Sequence, residues 1–494
     1  MTSRWGALVF RGDADPAVLS RAVARGTLRR LATGVYTGVL DTPAEQVVAD
    51  HLWQLVGRLL PGAVLVDRTA RTLRPHDGIV TVDHARVRPL PLPGVTVVAR
   101  RGPGPVEGDL PFLAAGVHLS STARQLLDNL ERGRGADRRT LTDAEVEEWI
   151  DALIRERGDD GINRLRDQAR ALAPTLGRER ALERLEALIR AALSTGEARV
   201  PSSPVLQARA AGLPVDTARL ASFEALAAEL ADHGPDLVVD LPQDAERRRL
   251  LPFYEAYFSN FIEGTEFTLD EAAGIVFDEL VPEGRPEDAH DILGTYEIVA
   301  DPAEMATRPL DPDQFEALLL TRHARVLAGR PDKHPGEYKH RANQVGDRIF
   351  VDPELVRGTL RRGFEIGAPL TSPFARSVFL MFLVCEVHPF ADGNGRLARI
   401  MMNAELVAAG EVRIIIPIVY RANYVEALKG ATQTQHYAGL IAALAFARRY
   451  TAQVDFTSRA TAEADLQRTN ALRDPYDAER PGVRLVLPSR APLR

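Results

Sequence analysis

One cysteine, Cys385, occurs in 494 residues. That excludes a disulfide framework within the chain and any zinc site built from clustered cysteines. Long apolar runs are also missing. The most apolar stretch, Pro373 to Val387, is too short to span a bilayer and carries Arg376 and Glu386. The opening residues, Met1 to Asp13, lack the apolar core of a signal peptide, so a cytoplasmic protein with no membrane association is expected. Excess positive charge is absent too. The 61 Lys and Arg against 68 Asp and Glu leave a net charge of −7, which argues against the chain as a whole being a nucleic-acid polyanion binder. No period of roughly 20–50 residues recurs, so no repeat array is expected.

What is present is a chain that is 45% hydrophobic, enough for real cores, and too long for one typical domain. Its most informative stretch is His388-Pro389-Phe390-Ala391-Asp392-Gly393-Asn394-Gly395-Arg396-Leu397-Ala398-Arg399. The preceding run, Phe374 to Val387, is apolar on nearly every face and reads as a buried helix, with Cys385 as core. The following run, Arg396 to Ala409, is rich in helix formers and stops at Gly410, where a C′ glycine belongs. A loop held between two core helices follows from this pattern. Gly393 and Gly395 let backbone N–H groups approach an anion at a helix N-terminus. Arg396 and Arg399 share a helix face and can fork onto phosphate oxygens. Asp392 is a hard oxygen ligand suited to a Mg²⁺ shared with phosphates, and His388 can take a proton near neutral pH. Phe390 is expected to point inward and anchor the loop. Together these parts suit transfer of a nucleotide group to a hydroxyl.

The stretch resembles the Fic signature, His-Pro-Phe-x-Asp-Gly-Asn-Gly-Arg-x-x-Arg, at every fixed position. The resemblance implies that His388 deprotonates the target hydroxyl, Asp392 holds Mg²⁺, and Gly393, Asn394 and Gly395 cradle the phosphates. It implies that Arg396 also grips phosphate and that Arg399 positions the γ-phosphate. The family's usual reaction is transfer of AMP from ATP to a Ser, Thr or Tyr hydroxyl of a protein. A branch resembling a phage toxin kinase lacks the second glycine, so Gly395 favours AMP transfer over phosphate transfer.

Three further stretches resemble parts of the same family. Arg247 to Gly264 carries aromatic and aliphatic residues at helical spacing, and within it Ser259-Asn260-Phe261-Ile262-Glu263-Gly264 matches the inhibitory pattern Ser/Thr-x-x-x-Glu-Gly/Asn. Ser259 and Glu263 share a helix face. The resemblance implies that Glu263 pairs with Arg399 where the γ-phosphate should sit. Asn343-Gln344-Val345-Gly346-Asp347 reads as a turn between short strands, where the family places a hairpin flap that docks the target chain by strand addition. Ile414 to Leu428 resembles the family's run after the motif helix, which implies that Tyr424 or its neighbours enclose adenine, although Thr432 stands where many members have an asparagine.

At the other end, Asp15 to Arg25 reads as a helix with Asp15 as N-cap and Pro16 at N1, followed by two short strands around Gly34. Helix plus basic hairpin resembles the winged-helix end of AbiEi-type antitoxin domains, which implies DNA contact through residues 15–37, with Arg21, Arg25, Arg29 and Arg30 facing phosphates. Residues 44–200 read as an α+β continuation with no catalytic constellation. The charged run Arg132 to Arg139 reads as a surface loop, Ala198 to Ser203 as a boundary, Gly234 to Pro242 as a link, and the segment after Asp455 as a peripheral or mobile tail.

The expected architecture is multidomain: a winged-helix-like piece over 1–42, its α+β extension over 43–200, a helical linker over 201–249, a mainly α Fic fold with a β-hairpin flap over 250–455, and a tail over 456–494. The expected function is a protein adenylyltransferase using ATP and Mg²⁺, restrained by Glu263, with self-modification open to it. The alternatives are a DNA-binding regulator or antitoxin-like protein whose Fic half senses nucleotide, and a Fic enzyme that removes AMP or transfers another group such as UMP.

Overall fold

The computed structural model describes residues 5–86, 88–113, 116–131, 139–193, 201–232, 245–346, 348–474 and 483–488. The chain divides into two compact units, Met1–Gly212 and Leu213–Arg494. Among the described residues no helix is long and apolar enough to cross a membrane. Most of the charged run from Arg132, residues 198–200 of the Ala198–Ser203 stretch, the link from Gly234 to Pro242, and Asp347 lie outside the described residues.

The first unit is an α/β region with two separate sheets. The helix Pro16–Ala24 starts as expected: the Asp15 carboxylate accepts from the Ala17 and Val18 amides, and Pro16 fills the first turn. It buries Leu19 and Ala22 against Val9 and Leu28. Beside it, Val9–Phe10, Val35–Thr37 and Arg29–Ala32 form a three-stranded antiparallel sheet with Val35–Thr37 in the middle. Arg29 does not reach outward as a phosphate ligand. Its guanidinium donates to the carbonyls of Val39, at 3.1 Å, and Thr42. Arg21, Arg25 and Arg30 are exposed. Arg29→Ala is therefore expected to lower the stability of this unit by roughly 1–3 kcal/mol, the cost of leaving carbonyls without a charged donor. Arg30→Ala should stay within about 0.5 kcal/mol of wild type. Thermal or urea unfolding of both variants checks this, and equal effects would return Arg29 to the surface.

The second sheet has six strands in the order Leu90–Leu92, Val95–Arg100, Ile79–Asp83, Val64–Leu65, Val117–Leu119, Leu110–Phe112, with two parallel pairs inside it. Under it the fully buried Arg124 guanidinium pairs with Asp83 and Asp109, a fixed network rather than an open site. The helical stretch over 44–59 is broken at His51 into Ala44–Asp50 and Leu52–Leu59. The long helix Asp143–Leu176 bends at Gly158, whose φ of 64° takes it out of the helical region. The segment ending at Ser203 is held to this unit: the buried Glu147 carboxylate accepts from the Ser202 hydroxyl and the Ser203 amide.

The second unit is mainly helical. The helix Thr217–Asp232, read from sequence as a linker, buries Phe223, Leu226 and Leu230 in a core built around Pro373–Val387. A second core surrounds the helix Ala245–Ile262. The helix Asn394–Ala408 is shared between them. Leu397, Ala398, Met401 and Leu406 enter the first core, and Ile400 and Ala404 enter the second. Packing on both sides fixes the rotation of that helix, so the polar residues of its first turn have fixed directions. The C-terminal segment is not peripheral over 456–474. Phe456, Ala462, Leu466 and Ala471 are fully buried, and the Tyr450 and Thr469 hydroxyls lie 2.7 Å apart. Its composition is polar because only one side of the helix Arg459–Arg468 meets the core. Gln344–Val345 and Arg348–Ile349 pair antiparallel as a short hairpin, Gln344 facing Ile349 and Val345 facing Arg348.

Candidate active site

The helix Pro373–Val387 ends because His388 turns left-handed, at φ 51°. The chain then doubles back and enters the helix Asn394–Ala408 through Gly393, at φ 76°. Phe390 is fully buried, as expected. The Asn394 side chain closes this loop: its Oδ1 accepts from the Phe390 amide and its Nδ2 donates to the Phe390 carbonyl, both at 2.9 Å. What Asn394 offers a phosphate is therefore its backbone N–H, while its side chain is structural. With no residues before Gly393 in the helix to accept from them, the amides that follow are the unpaired donors of a helix start.

His388 stacks on Phe350 at 3.8 Å and 11°. Burial, reinforced by the nearby Lys339 ammonium, pushes its imidazole down to about 4. At neutral pH the ring is uncharged and can accept a proton. Asp392 is half-exposed, with Oδ1 accepting from the Gly393 amide at 2.6 Å. No group of three or more potential metal ligands occurs among the described residues. A half-exposed carboxylate next to a helix start suits a cation such as Mg²⁺, which is held by one or two carboxylates plus substrate phosphates and water. Gly395 is crowded by Glu263: a Cβ there would stand 2.1 Å from Glu263 Oε1.

The helix Ala245–Ile262 runs against this first turn and joins it through a polar ladder. Glu255 accepts from Asn403 at 2.8 Å, Ser259 Oγ accepts from Arg399 Nε at 2.9 Å, and Asn260 Oδ1 lies 3.4 Å from Arg396 Nη1. The Ser259 carbonyl accepts from Arg399 Nη2 at 2.8 Å, and Glu263 Oε1 lies 2.7 Å from the same nitrogen. Ser259 and Glu263 are thus together with Arg399. Glu263 stands just past the last helical residue, Ile262, and before Gly264, whose φ is 92°.

Sequence reasoning missed several residues that this loop depends on. Arg396 is not free: Asp291 Oδ2 lies 2.7 Å from its Nη1 and also 2.8 Å from Arg330 Nε. Burial raises the Asp291 carboxyl against the pull of both guanidiniums. His323 is fully buried, stacked on Phe390 at 3.7 Å. Its Nδ1 accepts from the Gly336 amide at 2.9 Å, so Nε2 carries the proton and donates to the Asp392 carbonyl at 3.1 Å. Burial pushes this imidazole down to about 4. No local spacing in the sequence signals either residue.

The two histidines carry a pH signature. Both are neutral when folded, with values near 4, while an unfolded histidine titrates near 6.5. Between those values the unfolded chain binds more protons, so their contribution is fully present above about pH 6.5 and is lost as pH falls toward 4. Each accounts for at most roughly 3 kcal/mol over that window. His323→Phe should therefore flatten the dependence of unfolding free energy on pH between 7 and 5. An unchanged slope would mean that His323 is protonated or exposed in the folded state.

Of the other expected site residues, Asn343 donates from Nδ2 to the Phe390 carbonyl at 2.9 Å, and Gln344, Val345 and Gly346 are exposed. Tyr424 is only 2% exposed, with its hydroxyl directed to Met381 Sδ at 3.4 Å, so its ring belongs to the core. Its neighbours Ala422 and Val425 line a cleft of about 240 Å³ with Phe261 and Ile418. The Thr432 hydroxyl is used on Glu386 at 3.0 Å.

Residues 310–406 match the Fic/DOC family. They are a Fic domain. Around it, the chain is 28% identical over 233 residues to a protein adenylyltransferase Fic of Drosophila willistoni, covering 44% of each chain. It is 28% identical over 193 residues to the protein of the same name in Drosophila melanogaster, covering 37% of each. The chain thus spans less than half the length of the relatives it matches. Among solved structures it is similar to Fic-1 from C. elegans, at 23% identity and a TM-score of 0.36, over 62% of this chain and 95% of that one. Within the Fic domain, His388, Asp392 and the Gly393–Arg399 turn lie at its C-terminal end, and His323, Lys339 and the hairpin lie before them.

Proposed function

We propose that the protein is an adenylyltransferase that moves AMP from ATP onto a Ser, Thr or Tyr hydroxyl of a protein, with Glu263 as its restraint. The observation that carries this reading is the uncharged, half-buried His388 at the mouth of a loop whose next residues are Asp392 and the Gly393–Gly395 helix start. His388 takes the proton as the hydroxyl oxygen bonds to the α-phosphorus. The bond from that phosphorus to the β-phosphate bridge breaks, and pyrophosphate leaves. The amides of Asn394, Gly395 and Arg396 face charge developing on the phosphates, which is the principal source of rate in such transfers. Mg²⁺, held by Asp392, supplies charge neutralisation across the phosphates when bound. Arg396 enters this scheme with Asp291 already on one nitrogen, which holds its guanidinium in place. Arg399 is the γ-phosphate ligand once Glu263 leaves it.

The hairpin Gln344–Ile349 is the proposed docking edge for the target chain, whose backbone would add as a further strand. Val345 and Ile349 are 66% and 60% exposed, which suits a surface that a partner covers. DNA contact through residues 15–37 is the weaker reading, because Arg29 is already used on backbone carbonyls. The test is incubation of the full chain with α-labelled ATP and, separately, UTP and GTP, with mass spectrometry of the protein itself and of a lysate. A mass increment of AMP on a hydroxyl side chain supports the reading. Release of AMP from a previously modified protein, without transfer, overturns it in favour of removal.

A further inference from the structure

Lys339 is a buried lysine that the scheme above does not use. It is 5% exposed, and among the described residues no carboxylate lies within ion-pair distance of it. Burial draws its ammonium down to about 8. A buried ammonium needs acceptors, and those of Lys339 come from two segments. Nζ donates to Asn343 Oδ1 at 2.7 Å, at the root of the hairpin. Nζ also lies 3.5 Å from the Val387 carbonyl, just before His388, and the Lys339 backbone amide donates to the Pro389 carbonyl, just after it, at 2.9 Å.

Asn343 completes the connection. Its Nδ2 donates to the Phe390 carbonyl, and its own carbonyl accepts from the Phe350 amide at 3.1 Å. Phe350, at the far end of the hairpin, carries its ring to His388. The Arg348 guanidinium also lies over that ring, at 4.8 Å from its centre, and pairs with the buried Glu386. The contacts therefore form a closed circuit from Lys339 through Asn343 and Phe350 to His388, and back through the carbonyls on either side of His388.

We propose that Lys339 is a positioning residue that ties the root of the hairpin to the backbone flanking His388, so that the docking edge and the histidine keep one fixed spacing. The idea rests on the reading of His388 as base only for its consequence in transfer. The tie itself is a property of the folded chain. A strand docked on the hairpin presents its hydroxyl at a distance set by this circuit, and a small misplacement of reacting groups is costly. The ammonium also faces His388, together with Glu263 from the end of the helix Ala245–Ile262 and Arg348 from the hairpin. Of these three, Lys339 and Arg348 oppose protonation of His388 and Glu263 favours it.

The test compares Lys339→Met with Lys339→Arg in the full chain, without turnover. Hydrogen exchange across residues 343–350 should rise about tenfold in Lys339→Met, the expected loss for one charge-assisted bond, and stay near wild type in Lys339→Arg. In ¹³C-histidine-labelled protein, the His388 resonance, assigned by its absence in His388→Ala, should titrate at higher pH in Lys339→Met. Unchanged exchange and unchanged titration in a folded Lys339→Met would overturn the proposal. If that variant fails to fold, Asn343→Ala removes the acceptor and leaves the charge. It should loosen the hairpin alone, and an undisturbed hairpin there would equally overturn the tie. Because neither readout needs AMP transfer, a failure of the adenylyltransferase reading is seen separately.

Discussion

Glu263→Gly is expected to raise the initial rate of AMP incorporation about 100-fold at matched folded protein, the scale on which misplaced reacting groups slow a transfer. The reason is geometric. Glu263 Oε1 sits 2.7 Å from Arg399 Nη2 and fills the space above Gly395, where a Cβ would meet it. A phosphate chain approaching Gly395 would compete with a carboxylate that already holds the guanidinium and occupies the space beside the helix start. Removing the carboxylate frees both, while Ser259 continues to orient the guanidinium through its hydroxyl and carbonyl. The fold should tolerate the change. Glu263 lies past the last helical residue, so the glycine penalty of about 1 kcal/mol in a helix interior is an upper limit here. Arg399→Ala is the control: it breaks the same pair but removes the group proposed to hold the γ-phosphate, and should not activate. Equal rates in wild type and Glu263→Gly would make the ladder between the two helices a structural device only.

His388→Ala should lose transfer by ~10²–10⁴-fold, the usual cost of deleting a general base. ATP binding should persist, because the amides, Asp392, Arg396 and Arg399 are untouched. Calorimetric titration with ATP separates binding from chemistry. Two structural costs accompany the change. Phe350 loses the ring stacked on it, and alanine at φ 51° is less at ease than histidine. His388→Asn is the companion variant, since asparagine tolerates the left-handed conformation and still cannot serve as an efficient base. Undiminished incorporation by both variants would remove His388 from the mechanism.

Both predictions start from stretches that were readable before any coordinates. The twelve residues His388 to Arg399 are contiguous, and their chemistry depends on local spacing: a helix end, two glycines, then a helix start. Local capping was readable for the same reason. Asp15 caps the helix it was expected to cap. The Ser259–Glu263 spacing places both side chains on one helical face whatever that face meets. Segment boundaries over longer spans were less legible. The break at His51, the long helix through Gly158 and the burial of Ala462 and Leu466 are choices that packing makes among locally acceptable conformations.

By itself, then, the sequence determined the Fic signature, the helix-end character of its loop, the Ser259–Glu263 spacing upstream and the hairpin. Each is written in residues a few positions apart, where backbone geometry alone fixes their relation. Only the tertiary structure decided which distant groups meet that loop. Asp291 on Arg396, His323 under Asp392, Phe350 against His388 and Lys339 beside both His388 and Asn343 come from segments separated by helices. The physical reason is that a buried charge or ring nitrogen must find a partner wherever the fold provides one, and that partner has no required position along the chain.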